Sequence, residues 1–323
     1  MLSRIADSLY WMSRYLERVD NTARLIEINL LHLLEADDRV TPETHWQPLL
    51  AISNNAPAYD ALYQDGQVSQ PRVIRFLTQE RTNPNAIRNC LRLARDNARV
   101  VRDRISREMW EIMNELWLRA EPHLGRAEGP DSMVQFCRTV RSEVARFHGA
   151  TVSTMLRGEA FGFYQLGTFV ERADMTARIL DVKYHLLLPE LSPVGSALDY
   201  YQWAALLKSL SGFEAYRRIY HTGFSPAAVA EFVVRTSEFP RSLRFSLDRI
   251  DQALQVIDEG HGASSTAALV TTLQNELIAR PCGEVFQEGL HEFLAQFVAR
   301  ISTIDTTLRA ELFYAATEDA CAT

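Results

Sequence analysis

Apolar residues recur at three- and four-residue spacing along almost the whole 323-residue chain, and this periodicity limits its possible folds more than any other feature. The clearest example is a helix predicted over about 2–35, whose continuous apolar face is formed by Leu9, Met12, Leu16, Val19, Ala23, Ile26 and Leu30. No stretch alternates strictly between apolar and polar residues, as a half-buried strand would. The sequence therefore predicts an all-α protein.

A second pattern divides the chain into two related parts. The octapeptide that begins at Glu17 reappears 154 residues later at Glu171, with six of eight positions identical. Further positions pair at offsets of 154 to 157, namely Tyr10 with Tyr164, Tyr59 with Tyr216, Tyr63 with Tyr220, Phe76 with Phe232, and Pro84 with Pro240. A period this long indicates a duplicated domain, because short-repeat solenoids have units of about 20–50 residues. We predict two homologous multi-helix halves, 1–155 and 156–316, packed about a pseudo-twofold axis, and a loose tail at 317–323.

Four helix starts are predicted from a capping residue followed by proline, which suits the first helical position. They are Thr41-Pro42, Asn83-Pro84, Ser192-Pro193 and Ser225-Pro226. The helix after Pro84 is predicted to run unbroken past Ile112.

The repeated octapeptide places polar side chains on one face of its helix. At 100° per residue, one polar stripe carries Tyr10, Glu17, Asp20, Asn21 and Arg24, whereas Arg18 lies on another flank. Asp20 and Arg24 have the favourable i,i+4 order for an ion pair. The matching stripe of the second copy contains Tyr164, Glu171, Asp174 and Arg178, with Arg172 on the flank.

Three interpretations of these stripes are open. They can be solvated faces with weak surface ion pairs, or charge networks that fix the register of the two copies. They can also meet in a cleft that binds a ligand with carboxylate and amine or phosphate groups, for which the forked donors of arginine are suited. In that case the candidate catalytic residues are Glu17, Arg18, Glu171 and Arg172. The candidate substrate-binding residues are Tyr10, Asp20, Arg24, Tyr164, Asp174 and Arg178.

Both copies of the motif resemble the Alpha-E family, bacterial all-helical proteins named for a helical Glu-Arg motif. The similarity is carried by residues 1–18, MLSRIADSLYWMSRYLER, and by residues 169–178, FVERADMTAR. Members are generally encoded beside circularly permuted ATP-grasp proteins and transglutaminase-like proteins. The resemblance therefore implies a role in ATP-dependent amide or peptide-bond formation on a small molecule or peptide.

Two functions follow from this resemblance and the residues. The first is an accessory, ligand-binding subunit that works with an ATP-grasp ligase, in which case the ligase binds ATP and Mg²⁺ and this chain binds no cofactor alone. The second is a stand-alone acyl or aminoacyl transferase that uses Glu17 or Glu171 as general base or acid. The chain contains neither a Walker-type loop nor a Gly-x-Gly-x-x-Gly sequence, which disfavours nucleotide hydrolysis by this chain alone.

A row of arginines predicts a docking surface for a partner. It recurs at four- and three-residue spacing and consists of Arg88, Arg92, Arg95, Arg99 and Arg102. RNA is a further possible ligand. The net charge of −7, the interleaved Asp96 and Asp103, and the lack of an aromatic row disfavour nucleic acid.

Other chemistry is weakly indicated. Glu288 and His291 have the i,i+3 spacing of di-iron carboxylate bundles, and His185 follows Asp181 by four, but the second set of ligands is missing and no metal site is predicted. Gly260-His261-Gly262 can place a histidine on a loop, although glycines more often end a helix. The scattered cysteines, the absence of a secretory signal pattern and the short apolar runs predict a cytoplasmic protein without membrane spans.

Overall fold

The computed structural model describes residues 1–35, 42–126, 129–187, 197–221, 223–258, 264–279 and 289–313. Its α-helices are α1 (Ser3–Glu35), α2 (Pro42–Ile52), α3 (Ala56–Leu62), α4 (Gln70–Thr78), α5 (Ile87–Val100), α6 (Arg107–Ala120), α7 (Pro130–Thr154), α8 (Glu159–Leu187), α9 (Ala197–Ser209), α10 (Phe213–Ile219), α11 (Pro226–Arg235), α12 (Leu243–Asp258), α13 (Ser264–Ala279) and α14 (Leu290–Leu312). A short 3₁₀ helix covers Glu121–His123. No strand occurs in these ranges, so the all-α prediction is confirmed. The predicted tail at 317–323 and Ser192-Pro193 lie outside the described residues.

Helix α1 has the predicted length and buries the predicted apolar face, since every residue from Leu9 to Leu30 on that face is at most 2% exposed. Its polar stripe is buried as well: Glu17 is fully buried and Asp20 is 6% exposed. Within the described residues, no helix is both long enough and apolar enough to cross a membrane.

The helices form two compact units, which we name after the motif glutamate that each contains. The Glu17 unit comprises residues 15–155 and 182–187, and the Glu171 unit comprises 1–14, 156–181 and 188–323. In the Glu17 unit, successive helices from α4 to α7 pack on one another. In the Glu171 unit the same is true from α11 to α14.

Helix lengths recur in the same order along the chain. Helices α1–α7 have 33, 11, 7, 9, 14, 14 and 25 residues, and helices α8–α14 have 29, 13, 7, 10, 16, 16 and 23. This agreement is what an internal repeat produces. The pseudo-twofold axis and the boundary at residue 155 stay predictions.

Aromatic packing inside each unit follows the same correspondence. The rings of Tyr59 and Tyr63 lie 4.7 Å apart, and Tyr59 meets Phe76 edge-on at 5.2 Å. The corresponding rings of the other unit behave alike: Tyr216 and Tyr220 are 4.7 Å apart, and Tyr216 meets Phe232 edge-on at 5.5 Å. The paired tyrosines of the sequence therefore have equivalent surroundings.

The prediction of one long helix after Pro84 is wrong. Helix α5 ends at Val100 and α6 begins at Arg107, because Ser106 accepts a hydrogen bond from the backbone N–H of Met109 at 3.1 Å and caps a new helix. Pro84 itself lies in a turn before Ile87, since the Asn83 side chain accepts from the backbone N–H of Asn85 at 3.0 Å. The predicted start at Ser225-Pro226 is confirmed, because the Ser225 hydroxyl accepts a hydrogen bond from the backbone N–H of Ala228 at 3.2 Å.

Candidate functional site

Burial separates the three interpretations of the polar stripes. Glu17, Asp20, Arg24 and Glu171 are all at most 6% exposed, so the solvated-face interpretation is wrong for these side chains. Asp174 and Arg178 are about a quarter exposed, with side-chain exposures of 23% and 25%. A buried charge is tolerated only when it is paired or hydrogen-bonded, so each of these buried side chains requires a partner.

Helix α7 supplies basic side chains to the buried carboxylates of α1 in the Glu17 unit. His148 places Nε2 3.9 Å from Oε2 of Glu17. Glu27, one turn beyond the motif, accepts a hydrogen bond from Nε of Arg138 at 2.8 Å and a second from Nη1 of Arg141. This row is a charge network along α1 and α7, and its outer members Arg138 and Arg141 are 53% and 27% exposed.

The i,i+4 ion pair predicted for Asp20 and Arg24 is present, and the second copy forms the same pair between Asp174 and Arg178. Arg24 donates from Nη2 to Oδ2 of Asp20, and Arg178 donates from Nε to Oδ2 of Asp174 at 2.9 Å. The Asp20–Arg24 pair is nearly enclosed, with side-chain exposures of 8% and 7%. The motif thus builds the same local pair in two environments that differ in solvent access.

Arg18, on the flank of α1, reaches the turn that precedes α5. Its Nη1 donates to Oδ1 of Asn85 at 2.5 Å, and Nδ2 of Asn85 donates in turn to Oδ1 of Asn55 at 3.1 Å. The corresponding Arg172 donates to the backbone carbonyl of Pro240, in the turn that precedes α12, at 3.3 Å, and its guanidinium lies 4.8 Å from the centre of the Phe169 ring. Both motif arginines therefore attach their own helix to a turn of the same unit, Arg18 to the turn before α5 and Arg172 to the turn before α12.

A buried arginine that the sequence analysis missed organises the Glu171 unit. Arg14 donates from Nε to Oε2 of Glu171 at 2.9 Å and from Nη1 to Oδ1 of Asp305 at 2.8 Å. The Tyr10 hydroxyl also donates to Asp305 and accepts from Nη1 of Arg14 at 3.2 Å. The guanidinium stacks 4.9 Å from the ring centre of Trp11. One buried cation thus serves two carboxylates and a phenol.

This arrangement determines the protonation of its members. Burial raises the pKa of the Tyr10 hydroxyl, with the Arg14 charge acting in the opposite direction, so the phenol stays protonated. Burial alone lowers the pKa of Arg14, but Tyr10, Glu171 and Asp305 outweigh it and raise that pKa well above its ordinary value. Arg14 is therefore a permanent cation and not a proton donor.

Close packing of α8 on the first turns of α1 brings Arg14 and Glu171 together. A Cβ atom at Gly167 would lie 2.1 Å from the carbonyl oxygen of Tyr10 and 2.1 Å from Oγ of Ser13, so only glycine fits. A glycine inside a helical pattern was the one available signal for this approach. Arg14 itself lies outside the repeated octapeptide, and its counterpart in the second copy is Thr168.

The structure places the remaining predicted substrate-binding tyrosine in the core. Tyr164 is 2% exposed, and its backbone carbonyl accepts from the Thr168 hydroxyl at 3.0 Å. Tyr10 is fully buried and contacts Glu171 through Arg14, within the Glu171 unit. Neither tyrosine presents an open surface to a ligand.

The predicted arginine row is not one continuous stripe, because Arg102 lies beyond the end of α5. Its guanidinium stacks 5.2 Å from the ring centre of Trp110. Arg88 donates to the carbonyl of Leu124 at 3.0 Å, and Arg95 donates to Oδ1 of Asn114 at 2.8 Å. Arg92, Arg99 and Arg102 remain exposed.

Other predicted residues have separate outcomes. His291 contacts Asp181 through Nδ1 at 2.7 Å, and this hydrogen bond raises the pKa of His291. Glu288, Gly260-His261-Gly262 and the side chain of His185 lie outside the described residues. Among the residues that are described, no group of three or more His, Cys, Asp or Glu side chains is arranged to hold a metal ion.

Over the described residues, fold and site together define an all-helical protein with a Glu-Arg motif in each of two units, and the glutamate of each motif is buried. The chain belongs to the Alpha-E family, whose model, described as a predicted alpha-helical domain with a conserved ER motif, matches residues 1–313.

The curated relatives are mycobacterial proteins. The chain is 25% identical over 320 residues to uncharacterized protein Mb2597 of Mycobacterium bovis and to uncharacterized protein MT2643 of Mycobacterium tuberculosis, and 24% identical to uncharacterized protein Rv2567 of Mycobacterium tuberculosis. Each match covers 92% of this chain but 35% of the relative, so the chain spans about a third of the length of these proteins. No solved structure matches the chain.

Proposed function

We propose that this chain is a ligand-binding accessory module of an ATP-dependent amide ligase system. A circularly permuted ATP-grasp protein binds ATP and Mg²⁺ and forms the amide bond, and this chain presents a small molecule or peptide to it. The proposal combines the family resemblance with the geometry of the motif.

The observation that carries the proposal is the state of the motif glutamates. Glu171 is 1% exposed and ion-paired to Arg14 at 2.9 Å, and Glu17 is fully buried beside His148. A general base must reach the proton that it removes, and separating a buried ion pair leaves an uncompensated charge that costs about 3–5 kcal/mol. This geometry supports a binding role over the alternative of a stand-alone acyl transferase.

The lengths of the relatives support the same conclusion. In the mycobacterial proteins the matching region is only 35% of the chain, so it is joined to nearly twice its own length of further sequence. A region joined to that much further sequence suits a module that acts beside another activity.

We place ligase docking on the exposed arginines Arg92, Arg99 and Arg102. Arg92 is 54% exposed, although it forms a surface ion pair with Asp96 at 3.4 Å, and Arg99 and Arg102 are exposed. Arg88 and Arg95 are less exposed and bind groups of their own unit. Exposed guanidinium groups suit an acidic surface on a partner, where they mainly raise the rate of association.

Reconstitution tests the proposal. The chain, the circularly permuted ATP-grasp protein and the mixture are each incubated with Mg-ATP and a set of amino acids and short peptides, and ADP and amide products are quantified. We expect products from the mixture at a rate at least ten times that of either protein alone. Amide or acyl transfer by the chain alone would favour the transferase, and a mixture no faster than the ligase alone would reject the module.

A further inference from the structure

A cluster of hydrogen-bond donors lies where α5 begins, apart from the residues to which the proposed function assigns a role. Asn85 stands two residues before Ile87, the first residue of α5, where unpaired backbone N–H groups and the helix dipole favour negative charge. Residue Ala86 at the helix cap offers no side-chain acceptor to these groups. Arg18 adds its guanidinium through the 2.5 Å hydrogen bond to Asn85.

Asn55 gives independent evidence for a ligand at this place. It is 3% exposed, its Oδ1 accepts from Asn85, and its Nδ2 has no hydrogen-bond partner among the described residues. Oδ1 and Nδ2 are bonded to the same carbon atom, so the unpaired nitrogen lies next to the oxygen that accepts from Asn85. Buried donors are nearly always paired, so this one indicates an acceptor atom that binds here.

The other unit shows that the fold does not require this cluster. Asn54 and Ser211 both have φ 53°, and the next residue in each case, Asn55 or Gly212, donates its backbone N–H to a leucine carbonyl at 2.9 or 2.7 Å. The backbone is therefore equivalent, yet Asn55 is replaced by Gly212. A Cβ atom at Gly212 would lie 2.8 Å from Cζ of Phe239, so aromatic rings fill the space there.

We propose that Asn55, Asn85 and Arg18 bind a carboxylate of a small-molecule ligand. One carboxylate oxygen accepts from Nδ2 of Asn55, and the single negative charge is balanced by the Arg18 guanidinium at the N-terminus of α5. Nδ2 of Asn55 is enclosed, so binding requires a local movement of the side chains around it. The choice of a carboxylate rests on the proposed function, because amide ligases join carboxylates to amines.

Binding to the full chain, without any ligase, tests this site. The probe is N-acetylglycine, its neutral control is N-acetylglycinamide, and inorganic phosphate is a third arm; the readout is the side-chain NH₂ resonance of Asn55 in ¹⁵N-labelled protein. We expect the resonance to shift with N-acetylglycine alone. Asn55→Asp, which keeps the acceptor for Asn85 but replaces the donor, should weaken binding about tenfold or more, since hydrogen bonds to charged groups are strong.

Two controls separate recognition from structure. Arg172→Ala, at the matching position of the other unit, should bind N-acetylglycine within twofold of the wild type. Urea unfolding measures the stability of Asn55→Asp, which removes a buried unpaired donor and keeps a good helix cap for α3 but introduces a charge at a buried position. If Asn55→Asp does not fold, Asn55→Gly, which has the residue of the other unit, replaces it.

Each remaining outcome overturns the site. One is that N-acetylglycinamide binds as tightly as N-acetylglycine, and another is that phosphate binds more tightly. The others are that the Asn55 variants bind N-acetylglycine as the wild type does, or that the Asn55 side-chain resonance exchanges with water but does not shift when N-acetylglycine is added. Binding with these properties together with a failed ligase reconstitution would reject the proposed function and leave the carboxylate site in place.

Discussion

The two copies of one octapeptide are surrounded by different charges. Glu171 is held by Arg14, a buried cation that also binds Asp305, and the whole group is enclosed in the Glu171 unit. Glu17 lies beside His148, whose side chain is 26% exposed, and the neighbouring Glu27 is served by partly exposed arginines. The repeated residues determine the helix and its own ion pair, whereas residues outside the repeat decide whether a copy is a structural core or borders a ligand site.

The largest expected loss of stability comes from removing the Arg14 guanidinium, which binds both Glu171 and Asp305. Arg14→Leu should lower the free energy of unfolding by about 3–5 kcal/mol, because it leaves Glu171 and Asp305 without their shared cation. Urea unfolding at pH 7 measures this. The matched control is Arg138→Leu, where Glu27 keeps Arg141 and the loss should stay below about 1 kcal/mol. Equal losses in the two variants would contradict the difference between the clusters.

The two i,i+4 pairs sharpen the comparison at a smaller scale. Arg24→Ala should cost about 1.5–3 kcal/mol because the buried Asp20 loses its hydrogen-bonded cation, while Arg141 lies farther away, with Nε 3.9 Å from Oδ1 of Asp20. Arg178→Ala should cost less than about 1 kcal/mol, since Asp174 retains access to water. Thermal unfolding of both variants compares the two losses of stability, and a greater loss for Arg178→Ala than for Arg24→Ala would contradict the prediction.

A pH-dependent contribution is expected from the Glu171 unit. The hydrogen bond that His291 donates to Asp181 raises the pKa of His291 in the folded state. The stabilisation is therefore fully present below the unfolded pKa of about 6.5 and is lost as pH rises through the raised value. The His291 side chain is 50% exposed and Glu292 is adjacent, so the effect should be below about 1 kcal/mol. Unfolding of wild type and His291→Gln at pH 5.5 and 8.5 measures it. The prediction is wrong if the difference in free energy of unfolding between the wild type and His291→Gln is larger at pH 8.5 than at pH 5.5.

The smallest change in stability is expected on the arginine surface. Arg99→Glu should alter the free energy of unfolding by no more than about 0.5 kcal/mol and Arg92→Glu by no more than about 1 kcal/mol, because both side chains are exposed and the Arg92–Asp96 pair is a surface ion pair. They should nevertheless weaken association with the ligase, as measured by surface plasmon resonance at low and high salt. Arg249→Glu, on α12 of the other unit, should leave that association unchanged. Unaltered association in all three would remove this surface from the proposal.

The sequence predicted the features that depend on local periodicity. The length of α1, its apolar face and both i,i+4 pairs follow from residue spacing, and each is present. The break between α5 and α6 was missed, because the apolar spacing continues across Ser106 and only its cap hydrogen bond ends the pattern.

The side chains that complete the sites were missed for another reason. Asp305 lies 291 residues from Arg14, and Asn85 lies 67 residues from Arg18, so tertiary packing alone brings them together. Asn55 carries no local signal beyond its preference for a helix cap. Such partners have no fixed spacing from the motif, and a single sequence does not pair them.

The inequality of the two motif copies is tested most directly by one pair of conservative changes. The affinity for N-acetylglycine is measured for Arg18→Lys and Arg172→Lys, which keep the charge and remove the forked donors. We predict that Arg18→Lys weakens binding about tenfold, the loss of one charged hydrogen bond, while Arg172→Lys stays within twofold of the wild type. Equal affinities in the two variants, or a loss confined to Arg172→Lys, would contradict the assignment of ligand recognition to the Glu17 unit.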